Sequence, residues 1–396
     1  MVIQKSESKI HIGVSTIILL FAAVFLVSKT YRGFSGSTTV GGIWNYIQLL
    51  FVLLGLIYLF VYSRQFLSNK VIRIFLLLSL YSLLSALINI KSISIDSLYN
   101  LAMTVYAVSV LILFYQLGKS LDISKRTILM PAFFITAFIV VSAIIQFLGN
   151  RRYWADRGAV ADVYYVLGLL PLMMIYFKDN KAIIPIIAAA LAVAFTAKRA
   201  GIIAIVFMII SYYLIKGSQN NSLKRHVRYL VFLILVLAVV TGGAIYLDNR
   251  LGLRLVTRLM RLSEDGGSGR DIRWRLILES IFHANPFQII LGHGNGSILA
   301  SFGVHAHNDF IELFYENGII GAAMYVLFYI RLIIIDIRMI RRKYAYAAQF
   351  TAALICAFTL SMFSFYFIDP TYITCGMICI GLILGDYESD RYLSAA

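Results

Sequence analysis

Apolar residues run along this chain in blocks of about 20, the length a helix needs to cross the hydrocarbon of a bilayer. Twelve blocks are predicted as spans, at roughly 11–28, 43–63, 72–90, 98–118, 128–148, 160–177, 182–197, 200–216, 229–247, 311–333, 346–367 and 371–386. The seventh and eighth are short, and only "KRAG" separates them. The pattern predicts an all-α polytopic membrane protein, with residues 1–396 as a single membrane domain. One long polar segment, 248–310, interrupts it between the ninth and tenth spans.

That segment opens with "DNRLGLRLVTRLMRL", which sets Arg250, Arg254, Arg258 and Arg261 on one helical stripe beside Leu251, Leu255, Leu259 and Leu262. A basic amphipathic helix of this kind is expected to lie in the membrane interface. No internal repeat of solenoid length and no low-complexity tract interrupts the spans.

Composition agrees with the spans. The chain is 60% hydrophobic and 14% charged, where soluble domains carry about 25% charged residues. A net charge of +16 raises nucleic acid as a partner. Without a zinc-finger or RNA-binding signature, basic membrane loops explain it better, and no nucleic-acid partner is expected. Cys356, Cys375 and Cys379 all fall inside predicted spans. They read as packing residues, not as a disulfide framework or a zinc site. Lys5 and Lys9 precede the first apolar run as in a signal peptide. No small-residue cleavage site follows, so this run is read as an uncleaved helix.

Lys and Arg also give an orientation. With the start of the chain inside, 20 of the 35 basic residues fall in cytoplasmic segments and 8 in short outside segments. The other 7 lie in the long loop, which the rule does not count. Both termini are then cytoplasmic and the 248–310 loop is extracytoplasmic. The outside cations include Arg151, Arg152 and Arg157 in "NRRYWADRGAVAD", and Lys198 and Arg199 in "AKRAG". Topology disfavours basic residues there, and anion binding would explain them.

The ionisable chemistry gathers at one edge. His283, His293, His305 and His307 lie in the long loop, with the Gly-rich and basic "GGSGRDIRWR" and the turn-rich "NPFQIILGHGNGS". Gly292, Gly294 and Gly296 permit backbone conformations closed to other residues, for a tight turn or for close approach to a ligand. The loop ends in "HAHNDFIELFYENGIIG", residues 305–321. Asn308 is placed to cap the tenth span, and Asp309 and Glu312 suit its positive end. Glu316 lies one turn deeper on the face of Glu312. These placements do not account for a histidine. A neutral imidazole accepts a proton at pH 7, and a carboxylate beside it would orient it, so His307 is the candidate general base. A metal held by His293, His305 and His307 is the alternative, but no metal-ligand spacing is matched. Gly318 and Gly321 carry a weak helix-packing spacing.

Three blocks together resemble the O-antigen ligase/polymerase-like membrane proteins. They are "AKRAG" between two spans, "SGRDIRWRLILESIFHANPFQIILGHGNGS", and "HAHNDFIELFYENGIIG". Lys198 departs from the family's usual Ser before the arginine. The resemblance implies an integral-membrane, GT-C-like glycosyltransferase that acts on undecaprenyl-diphosphate-linked glycans at the extracytoplasmic face of a bacterial inner membrane. It implies no metal and no cofactor. Carried over by position, Arg199 and Arg270 would hold the diphosphate, with Arg157 and Arg273 as further candidates. His307 would assist attack, with Glu312 and Glu316 as carboxylates of the site and Asn308, Trp274 and Gly318 in support. The expected partners are the lipid-linked glycan, the bilayer and a chain-length regulator protein. A repeat-unit polymerase fits "HNDFIEL" better than a ligase that delivers the finished chain to lipid A–core. A lipid-linked sugar transporter is the competing class. Transporters place ionisable groups near the midplane and repeat their halves, whereas here the polar residues collect at one edge.

Overall fold

The computed structural model describes residues 40–88, 101–121, 163–196, 198–219 and 266–393, with scattered positions in 123–141 and 227–249. The first predicted span, most of the fifth and ninth, the stripe Arg250–Arg261 and Arg157 lie outside the described residues.

Every described element is a helix. In chain order they are α1 (Val40–Val61), α2 (Ser63–Ser68), α3 (Lys70–Ile88), α4 (Tyr106–Ser120), α5 (Val163–Lys181), α6 (Ile183–Thr196) and α7 (Arg199–Gln219). Then follow α8 (Gly266–Phe282), α9 (Pro286–Leu291), α10 (Ser297–Phe302), α11 (Asp309–Arg341), α12 (Ala347–Phe363) and α13 (Pro370–Leu393). Three of them, α3, α7 and α11, are long and apolar enough to cross a membrane, and α1, α5, α6 and α12 carry shorter apolar stretches. Phe60, Leu84, Phe207 and Phe358 face outward. Large apolar side chains all around a bundle suit lipid, not water. The protein is a membrane protein.

Side-chain pairs fix the direction of each helix. Phe75 of α3 stacks on Phe328 of α11 with ring centroids 4.5 Å apart. Tyr81 then meets Gly321, so the two helices run antiparallel. By contrast α4 and α13 run parallel. Tyr106 bonds Thr374 at 2.8 Å near their starts, and Tyr115 donates to Glu388 near their ends. Gly118, Gly381 and Gly385 line that seam, where a Cβ on any of them would press on the facing backbone. Small residues let two membrane helices close to main-chain contact.

The bundle therefore has two unlike ends. At one lie the α2–α3 turn, the last turns of α4 and α13, and the α11–α12 turn, where Gln219 of α7 donates to the Tyr344 carbonyl at 2.9 Å. Arg64, Lys70, Arg73, Lys119, Lys216, Arg331, Arg338, Arg341, Arg342 and Lys343 collect there. The other end carries α8, α9 and α10, the start of α7, and the α12–α13 turn.

Two sequence expectations need correction. The tenth span is not 311–333 but the longer α11, and it bends at Gly318 (φ 63, ψ −168). Gly318 is not a helix-packing residue. A Cβ there would strike the Ile290 carbonyl and the Gly292 backbone, so it marks where the loop presses onto α11. The described part of the long loop is also mostly helix. "NPFQ", read as a turn, starts α9 with a capping box: the Asn285 side chain accepts from Gln288, and Gln288 reaches back to the Asn285 amide.

Candidate functional site

The first turn of α11 organises the site. Asn308 caps it, its side-chain oxygen accepting from the amides of Phe310 at 3.0 Å and Ile311 at 3.1 Å. Asp309 is fully buried and points toward the α12–α13 turn. Its Oδ2 accepts from the amides of Phe367 at 2.7 Å and Tyr366 at 3.2 Å. That clasp holds Phe365 over the loop. Both imidazoles lie against its ring, His305 with centroids 5.4 Å apart and His307 at 4.8 Å.

Glu312, fully buried one turn further on, reaches back to the loop. Its Oε1 lies 2.5 Å from His305 Nδ1, and its Oε2 accepts from the Ala306 amide at 3.0 Å. The carboxylate thus orients His305 and not His307. From the other side, α8 grips the same peptides. Trp274 Nε1 donates to the Ala306 carbonyl at 2.7 Å, and Arg273 donates to the His305 carbonyl at 3.3 Å. Between these clamps His307 takes a left-handed backbone, φ 55, which His visits more readily than most residues.

The two histidines have opposite electrostatics. The hydrogen bond to Glu312 raises the pKa of His305 above the ordinary imidazole value, aided by the charges of Glu312, Glu316 and Asp369 and opposed by partial burial. Burial pushes His307 down to about 3, and Arg270, Arg273, Lys198 and His305 push it further the same way. His307 is therefore a neutral imidazole in a field of cations. Its Nδ1 is buried with no hydrogen-bond partner among the described residues.

Those cations come from two elements. Lys198 and Arg199 stand at the start of α7, and Arg270 and Arg273 on α8. Arg270 is half-buried and donates to the Phe363 carbonyl at 2.5 Å. Burial lowers its pKa, Tyr164 opposes this, and Arg199 and Arg273 lower it again. A guanidinium stays charged regardless. So many cations pressed together favour an incoming polyanion strongly.

Glu316 faces away from the histidines, into the turn before α10, where its Oε1 accepts from the Ile298 amide at 3.4 Å. The backbone beside it accepts too: the Tyr315 and Glu316 carbonyls take the amides of His293 and Gly294, both at 2.9 Å. Gly292, Gly294 and Gly296 all have positive φ, and the close approach that Gly292 permits is to the α11 backbone at Glu316–Gly318. His293 stacks on Tyr315 at 4.1 Å and belongs to this joint. Among the described residues, no group of three or more His, Cys, Asp or Glu is placed to hold a metal.

A family model described as "O-Antigen ligase" matches residues 184–326. The chain is O-antigen ligase/polymerase-like. No curated protein matches it. The O-antigen ligase match runs from α6 through the first half of α11. It takes in Arg199, Arg270, Arg273, Trp274, His307, Asn308, Glu312, Glu316 and Gly318. This family is glycosyltransferase-like, and the function here is of the ligase/polymerase type. Phe365 and Tyr164 lie outside the match, as does Arg157.

The structure thus gathers His307, Glu312, Arg199, Arg270, Arg273, Trp274 and Asn308 at one site. Sequence reasoning missed His305 as the partner of Glu312, Asp309 as the clasp and Phe365 as the ring under both imidazoles. The "HAH" spacing was a signal for the first. Nothing local to residue 365 signals the last, because its role depends on a contact some 60 residues away in the chain.

Proposed function

We propose that this protein polymerises undecaprenyl-diphosphate-linked oligosaccharide repeats into O-antigen or a similar surface polysaccharide. The observation that carries the reading is the neutral His307 set among Lys198, Arg270 and Arg273. A hydroxyl of the acceptor repeat attacks the anomeric carbon of the donor glycan. The bond from that carbon to the diphosphate oxygen breaks, and its electron pair leaves with undecaprenyl diphosphate. His307 takes the hydroxyl proton. Arg199, Arg270 and Arg273 balance the charge that develops on the leaving group, in the manner of preorganised electrostatic catalysis. Binding the diphosphate also offsets the cations that depress His307, so the donor itself makes His307 a better base. His305 and Glu312 position the loop.

The basic end of the bundle suits the cytoplasmic face of a bacterial inner membrane, and the site then faces the extracytoplasmic side. A chain-length regulator would act from that side. The description of the matching family favours a second reading, a ligase that hands the finished polymer to lipid A–core. Purified protein given one lipid-linked repeat should produce a ladder on a gel. Product formed only when lipid A–core is added would establish the ligase. No product with either acceptor would count against both and favour a transporter.

A further inference from the structure

The basic end of the bundle holds a cavity of about 230 Å³ that the transfer reaction does not use. It opens between the α2–α3 turn, the second half of α11 and the end of α13. Lys70, Arg331 and Arg338 line it, with Asn69, Tyr387 and Glu388. Arg331 and Arg338 stand two helical turns apart, on one face of α11. Glu388, the one carboxylate among the lining residues, is already engaged. Its Oε1 accepts from Asn69 at 2.7 Å and its Oε2 from the Tyr115 hydroxyl. Among the described residues neither Arg331 nor Arg338 nor Lys70 forms an ion pair. Three cations thus converge on a cleft with one preoccupied anion.

We propose that this cavity binds the phosphate headgroup of an anionic membrane lipid. Two guanidinium groups on one face can grip a phosphate from both sides. The cavity sits at the ends of helices that cross the bilayer, at the level where headgroups lie. Basic clefts between membrane helices at that depth recognise acidic headgroups. A free phosphate ion offers the same chemistry, and the test separates the two.

The full-length protein would be placed in nanodiscs of phosphatidylcholine with increasing phosphatidylglycerol, and its Tm followed. Wild type and the variant Arg341→Gln/Arg342→Gln, which loses the same charge outside the cavity, should gain Tm along the same curve. Arg331→Gln/Arg338→Gln should need roughly tenfold more anionic lipid for the same gain, as the loss of one charge-assisted contact predicts. Equal gains in all three proteins, or no gain in wild type, would overturn the site. If inorganic phosphate added to pure phosphatidylcholine discs gives the same gain, the lipid assignment is overturned in favour of the free ion. Should the cavity variant not fold, mass spectrometry of lipid retained by purified wild type decides. Enrichment of phosphatidylglycerol over the source membrane upholds the proposal, and parity overturns it.

Discussion

His305 Nδ1 and Glu312 Oε1 lie 2.5 Å apart, and the other oxygen of that carboxylate holds the Ala306 amide. The buried acid therefore fixes one histidine and the peptide between both. Glu312→Gln keeps an acceptor for the amide but removes the charge. The pKa of His305 should fall toward the ordinary imidazole value, readable by NMR of labelled histidine. Transfer should slow through mispositioning of His307. An unchanged His305 titration would mean the pair does not form.

His307→Ala should lower kcat by about 10²–10⁴-fold, the range of one general base, while leaving membrane insertion intact. If the base is instead His305, His305→Ala will show the larger loss. Steady-state kinetics of the two variants side by side decides.

The pH profile follows from the depressed pKa. In the free protein His307 stays unprotonated down to about 3, so kcat/KM should show no acid limb near the usual imidazole value of 6.5. In the complex the donor's negative charge screens the cations and raises the pKa. The acid limb of kcat should then lie at higher pH than that of kcat/KM. The sign for stability is separate. The unfolded chain binds the proton below 6.5 and the folded chain does not until about 3, so this group's contribution is complete above 6.5 and is lost as pH falls through that window.

Arg270→Ala should cost roughly ten- to a hundredfold in kcat/KM, the size of one charge-assisted phosphate contact. It also removes the bond to the Phe363 carbonyl. Arg270→Lys is therefore the sharper test, keeping the charge while losing the fork that meets a phosphate bidentately. Activity equal to wild type in both variants would remove Arg270 from the diphosphate site.

Gly318 and Gly296 make a matched pair for stability. Gly318 (φ 63, ψ −168) occupies a region that essentially only glycine adopts, with the Ile290 carbonyl against it. Gly318→Ala should cost more than the ~1–3 kcal/mol of backbone strain alone. Gly296 (φ 76, ψ 1) is left-handed but has open space around it, so Gly296→Asn should be nearly neutral. Thermal melts in detergent would show the contrast.

Much of this was legible along the chain. The apolar blocks give α3, α7 and α11 within a few residues, because length and hydropathy alone define a span. The Asn308 cap and the first-turn acids follow from helix-end chemistry. The gathering of Arg199, Arg270 and His307 came from resemblance, since three loops distant in sequence have no local reason to meet. The partner of Glu312 could not be read from spacing. The left-handed turn at His307 decides which imidazole a carboxylate five to seven residues on will reach. Gly318 read as a packing glycine because its strain shows only once the Ile290–Gly292 backbone lies against it.

Asp309 ties the aromatic ring under both imidazoles to the same helical turn that carries their cap and their carboxylate, while the cations arrive on α7 and α8. Proton handling and phosphate handling are thus built on separate supports. The grip on the leaving group can drift with a shift of either cationic element and leave the base in register. One scaffold could in this way be retuned toward donors with different headgroups without rebuilding its acid–base machinery.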